Sequence, residues 1–216
     1  MTLEQRQAAM DAISADIRKC TACGLHSGRT KAVPGAGPIN AEIMFIGEGP
    51  GYNEDQQGLP FVGQSGKLLE EFLKLIGLTR NDVFIGNVVK CRPPDNRDPL
   101  PNEIDTCTKA YLFQQIDLIN PKVIATLGRF SMGLFFPKAK ITAIHGQPKK
   151  ENGRAYLPLF HPAAILRTMA LRPQAEEDFK KIPVLLAEMK KQANPSTGGS
   201  KSGEEPPPPP TQLSLF

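Results

Sequence analysis

Four cysteines, Cys20, Cys23, Cys91 and Cys107, form one Cys-x2-Cys pair followed by two isolated residues. Thiolates are ligands for zinc and for iron–sulfur clusters, and four with none left over make one all-cysteine metal site the most economical account; unligated thiols are the alternative. A second set of residues sits where strands run into loops. Gly47-Glu48-Gly49-Pro50-Gly51 is a glycine-rich turn in which backbone N–H groups can approach a ligand closely, followed by the acids Glu54 and Asp55 and by Phe61 between Pro60 and Gly63. Asn87 ends an apolar run, where an amide is costly unless its donor and acceptor are matched. His161 follows another such run, and Pro162 fixes its turn. Each has an ordinary alternative: a plain tight turn, a core phenylalanine, an asparagine bonded to nearby backbone, an incidental histidine.

The elements that must carry these residues are visible in the hydrophobic pattern. Thr2-Leu3-Glu4-Gln5 has the form of a capping box, and Leu3, Met10, Ile13 and Ile17 share one helical face, so a helix to about Arg18 delivers the chain to Cys20. Short apolar runs at 42–46, 83–89, 123–127 and 156–160 read as buried parallel strands. Helical patterns lie between and after them, over 67–76 closed by Gly77, 102–119 closed by Asn120-Pro121, and about 174–191. Strands alternating with helices imply an α/β fold with a parallel sheet, whose ligands sit beyond the carboxyl ends of the strands. The loops after Ile46, Val88 and Phe160 are therefore the place to seek chemistry.

The chain of 216 residues is long enough for one sizeable core, expected over residues 1–191. Its Lys and Arg number 26 against 22 Asp and Glu, and the stretch from Gln192 onward carries Lys201, Glu204 and Glu205, so the body holds +5. That suits a polyanionic partner without demanding one. There is no run of 18 apolar residues and no signal-peptide pattern, which leads us to expect a cytoplasmic, monomeric protein whose cysteines stay reduced. Residues 192–211, rich in Pro, Gly and Ser, read as a disordered linker, and 212–216 bring an abrupt return of apolar residues.

Taken together and in order, Gly47-Glu-Gly-Pro-Gly with Glu54-Asp55, Pro60-Phe61-Val62-Gly63, Gly86-Asn87-Val-Val-Lys-Cys91-Arg-Pro-Pro and His161-Pro-Ala-Ala closely resemble the family 4 uracil-DNA glycosylases. The resemblance spans about Cys20 to Leu186. It implies a three-layer αβα sandwich around a central parallel sheet, a base-excision repair activity that hydrolyses the N-glycosidic bond of flipped-out deoxyuridine in single- or double-stranded DNA, and a 4Fe-4S cluster on Cys20, Cys23, Cys91 and Cys107.

By the same resemblance, Asn87 reads uracil, whose N3–H and O4 edge matches one acceptor and one donor; Phe61 stacks on the base; Glu54 and Gly49 line the pocket, Glu54 closing it near C5 against thymine's methyl. His161 faces O2 and stabilises the charge that builds as the bond breaks. Glu48 holds the attacking water or stabilises the cationic sugar. The family 1 enzymes use an Asp at the next position, where this chain has Gly49, so the water-activating residue is not fixed by the resemblance. Ile165 and Leu166 are candidates to wedge into the gap left by the flipped base, with Arg167 on a phosphate, the alternative being helix-start packing. A related branch traps uracil-DNA covalently through a histidine in the loop after the Asn strand; the stretch Cys91 to Pro99 has none, which favours turnover. A non-enzymatic four-cysteine nucleic-acid module is the remaining alternative. The terminal Gln212-Leu213-Ser214-Leu215-Phe216 resembles the short motif by which bacterial proteins dock on the sliding clamp, with Gln212, Leu213, Leu215 and Phe216 as contacts.

Overall fold

In the computed structural model, which describes residues 1–193, the capping box forms as expected: the Thr2 hydroxyl accepts from the Gln5 N–H at 3.2 Å and the Gln5 side chain takes the Thr2 N–H at 2.9 Å. Helix α1 (Leu3–Lys19) follows, and β1 (Ile43–Gly47), α2 (Tyr52–Gln57), α3 (Gln64–Leu75) and β2 (Phe84–Asn87) come next. Beyond them lie α4 (Pro101–Cys107), α5 (Phe113–Ile119), β3 (Val123–Leu127), α6 (Arg129–Gly133) and α7 (Ile141–Ile144). The chain continues through β4 (Lys149–Glu151), β5 (Arg154–Leu159), α8 (Pro162–Arg167) and α9 (Arg172–Ala193). The expected linker and terminal peptide lie outside the described residues.

The sheet order is β2-β1-β3-β5-β4, parallel except for β4, which pairs antiparallel with β5 along the edge. Every residue of β1 is buried, as a central parallel strand requires. Its alternation divides two cores: Ile43 and Phe45 face α3 and α9, where Phe179 packs against both Phe45 and Phe72, while Met44 and Ile46 face Met10 and Ile17 of α1 and Ile116 of α5. The result is the αβα sandwich. Arg6 ties the second layer together by donating to the Leu118 and Ile119 carbonyls that end α5, where the helix dipole favours a cation.

The helix expected over 102–119 is one rod with a fault. Between α4 and α5 the residues Thr108–Leu112 widen into a π turn, and the Thr108 hydroxyl donates to the Ile104 carbonyl at 2.7 Å. The fault begins immediately after Cys107. All four parallel strands end on the same side, so Gly47, Asn87, Leu127 and Leu159 open onto a common edge.

Candidate active site

Gly47 and Asn87 are paired in register at the ends of β1 and β2. A Cβ on Gly47 would lie 2.4 Å from Asn87 Oδ1 and 2.7 Å from the Phe61 ring, so only glycine lets the amide and the aromatic face approach this strand end. Asn87 is 1% exposed, yet its Oδ1 has no hydrogen-bond partner among the described residues. A buried acceptor left unpaired costs about 1–3 kcal/mol. Thr126 Oγ1 is likewise unpaired, but it lies inside the sheet and does not line the cleft.

That cleft, about 590 Å³, is walled by Glu48, Gly49, Glu54, Phe61, Asn87 and His161, so six residues that resemblance singled out meet in one place. Its size is that of a small-molecule site. Phe61 is buried and adopts φ +54°, a left-handed backbone conformation rare for a side chain of its bulk. Its ring stands 5.8 Å from that of His161. Glu54, on α2, accepts the N–H groups of Val62 and Gly63 at 2.9 Å each, which pins the loop carrying Phe61 to the cleft wall.

His161 caps α8. Its Nδ1 accepts from the Ala163 N–H at 3.1 Å, which leaves the ring proton of the neutral form on Nε2. Burial, helped by the Arg167 cation and opposed by Glu54, holds its pKa down to about 4, so the ring is a neutral donor at physiological pH. The preceding Phe160 packs against His145, 4.3 Å between ring centres, and His145 Nδ1 bonds the buried Asp178 of α9 at 2.6 Å. The turn that aims His161 is thereby fixed from behind.

Glu48 is partly buried, and burial together with the negative charge of Asp98 raises its pKa above the ordinary carboxylate value; Arg129 and Arg167 oppose that rise. Asp98 pairs with Arg129, both well exposed on the cleft lining, where Arg97 and Arg167 add further positive charge. A cationic rim around a partly desolvated carboxylate suits a polyanion whose reacting centre enters while its phosphates stay outside. Arg129 escaped the sequence reading although Gly128-Arg129 follows the apolar run 123–127; the strand-end rule extended to that loop would have found it. Asp98 and Arg97 carry no such signal, since the fold alone brings their loop across. Of the residues after the His161 turn, Ile165 is fully buried in the core, Leu166 is 42% exposed, and Arg167 lines the cleft. An apolar wedge can therefore be Leu166 but not Ile165, whose side chain α8 spends on packing.

The four cysteines converge elsewhere. Cys20 and Cys23 follow α1, Cys91 follows β2, Cys107 ends α4, and all four are free thiols lining one small cavity with Ile17, Arg29, Lys90 and Tyr111. Arg29 donates to Cys91 Sγ at 3.1 Å. Burial pushes the Cys107 thiol up to about 11 and raises that of Cys91, so thiolates here need a compensating cation. Lys90, fully buried, donates to the Asn87 carbonyl at 3.0 Å and to Gln115 Oε1 at 2.7 Å, joining this cavity to the strand that carries Asn87.

Comparison with known proteins gives one consistent result. The family model of the Uracil DNA glycosylase superfamily matches residues 34–182. The Type-4 uracil-DNA glycosylase of Sulfurisphaera tokodaii is 49% identical over 184 residues, covering 81% of this chain and 83% of that protein. Those of Archaeoglobus fulgidus and Thermotoga maritima are each 45% identical, covering 81% and 82% of this chain and 92% and 94% of their own.

Proposed function

The chain belongs to the uracil DNA glycosylase superfamily and is a DNA N-glycosylase acting on uracil, and we propose that the cleft at the strand ends releases the base with Asn87 as reader and His161 as hydrogen-bond donor to the departing anion. The observation that carries this is the buried Oδ1 of Asn87, which has no hydrogen-bond partner among the described residues. Uracil's N3–H supplies the missing donor, and the Asn87 amide N–H can then donate to O4. Cytosine offers an acceptor at N3 and a donor at C4, which leaves both ends of the amide opposed.

The reaction proceeds on a nucleotide turned out of the stack, with Phe61 against its face and Glu54 and Gly49 at its edge. As the glycosidic bond lengthens, electrons pass to the base and negative charge gathers at O2. His161 Nε2–H donates there, and because the ring is neutral and already oriented, no proton or reorganisation is needed at that moment. Ionised Glu48 orients water toward the sugar carbon or balances its positive charge. Arg167 serves a backbone phosphate and Leu166 the vacated stack. The stretch from Cys91 to Pro99 contains no histidine to trap the sugar, which supports turnover.

We assign a 4Fe-4S cluster to Cys20, Cys23, Cys91 and Cys107. Four thiols from three segments of the chain surround one cavity, and a cluster of four iron atoms takes one thiolate per iron. When bound, the cluster supplies positive charge to the buried thiolates and cross-links the segment after α1 to β2 and α4. Gln212, Leu213, Leu215 and Phe216 are proposed to dock on a sliding clamp, which would raise the effective concentration of the enzyme near DNA. The decisive assay is release of free uracil from single- and double-stranded oligonucleotides under multiple turnover. Release that stops at one equivalent per enzyme, with a protein–DNA adduct on a denaturing gel, would reject turnover.

A further inference from the structure

Phe61 is the residue in the cleft whose backbone is least at ease, and its placement depends on contacts outside the cleft. At φ +54° a phenylalanine is held, not merely tolerated, because the surrounding structure must over-determine a conformation that its Cβ disfavours. Gly66 in the first turn of α3 admits the bend: a Cβ there would lie 1.7 Å from the Phe61 carbonyl oxygen. Glu54 holds the N–H groups of the next two residues. The carbonyls on the other side of the bend are taken by one side chain. Arg80 Nη1 donates to Phe61 O at 2.8 Å, and its Nη2 donates to Pro60 O.

Arg80 is itself anchored. It begins a short 3-10 turn, Arg80–Asp82, in which the Thr79 hydroxyl and backbone N–H both donate to Asp82 Oδ2, at 2.7 and 2.8 Å, immediately before β2. Glu70 of α3 lies 3.3 Å from the guanidinium. The fork therefore links the start of the Asn87 strand to the bend that presents the Phe61 ring. Lysine, with a single ammonium at the end of a flexible stem, cannot reproduce two parallel bonds to consecutive carbonyls.

We propose that Arg80 is a positioning residue for base capture: it holds the strained Pro60–Phe61 bend so that the Phe61 ring lies flat against the entering base. The inference rests on the reading of Phe61 as the stacking residue. The test is a double-mutant cycle on single-turnover uracil release from a uracil-containing oligonucleotide, read as half-saturating concentration and maximal rate separately. Phe61→Ala is expected to weaken capture about 10-fold or more, the worth of one base–aromatic stack. Arg80→Met is expected to raise the half-saturating concentration by a similar factor with little change in maximal rate, and Arg80→Lys to fall between. In the Phe61→Ala background Arg80→Met should cost less than about 2-fold, because the ring it serves is gone. A full, additive loss in that background would overturn the proposal, as would wild-type capture by Arg80→Met. Wild-type capture by Phe61→Ala would instead remove the stacking reading itself. Should Arg80→Met not fold, Arg80→Lys carries the same cycle with the same two outcomes.

Discussion

The cleft and the cysteine cavity both hang on the segment Asn87–Cys91, and they solve opposite problems. At the cleft end an amide acceptor is left unpaired, a histidine is kept neutral, and arginines stand on an open rim. At the other end Lys90 and Gln115 are bonded to each other, and Gln115 also donates to the Pro34 carbonyl at 2.9 Å. What remains unbalanced there is four thiols, two of them buried, which become good ligands only when a cation offsets their charge. A region built to take and release a ligand keeps a small, tolerable deficit. A region built to hold one permanently carries a deficit that the bare protein bears badly. Damage to the first should cost rate, and damage to the second should cost the fold.

The largest separation between them should come from His161→Ala, which removes the donor proposed to face O2 while leaving α8 largely packed: single-turnover rate down about 10²-fold or more, melting temperature and iron content nearly unchanged. Gly47→Ala probes the same end sterically. A methyl 2.4 Å from Asn87 Oδ1 and 2.7 Å from the Phe61 ring must displace one of them, and a shift of that size is expected to cost about 10²-fold in kcat/KM. Cys107→Ser tests the other end. Thermal unfolding should fall by several degrees with loss of visible absorption, while any correctly folded fraction retains the ability to distinguish uracil from cytosine. Loss of that discrimination at full folding would mean that the two regions are not separable.

A smaller effect sharpens the electrostatics of the cleft. Glu48 has its pKa raised by burial and by Asp98, so if the carboxylate must be ionised, the rate declines as pH falls through a value above the usual carboxylate range. His161, already neutral down to about pH 4, does not set that limb. Asp98→Asn removes one cause of the rise and frees Arg129, so the limb should move to lower pH; a pH–rate profile that stays in place would exclude Glu48 as the titrating group. Smallest of all, deleting residues 212–216 should leave excision from short oligonucleotides unchanged while abolishing binding to a sliding clamp in a pull-down.

Much of this was legible in the residues. The Thr2 capping box and the runs over 42–46 and 123–127 are local patterns, and local physics preserved them, while the run expected over 83–89 is strand only as far as Asn87. What escaped depends on neighbours distant in the chain. The charged Lys149–Glu151 forms an edge strand against β5, although its sequence shows only the Asn152-Gly153 turn and no apolar alternation. The π turn after Cys107 interrupts a helix whose hydrophobic period gives no warning. Ile165 and Leu166 are neighbours of the same chemical type, and only their placement on α8 separates core from surface. Arg80 holds the Phe61 bend from outside the cleft and is brought there by the fold alone, so it belongs to no recognisable motif.

The proposed reading of the base by Asn87 can be tested without disturbing either the histidine or the cysteines. Asn87→Asp keeps the shape of the side chain, removes the donor to O4 and places a negative charge beside a base that is itself becoming an anion. Single-turnover release of uracil should fall by about 10²-fold or more, with iron content and melting temperature retained. Excision at the wild-type rate by that variant would contradict the account, because the one buried amide left waiting in the cleft would then have no part in recognising its substrate.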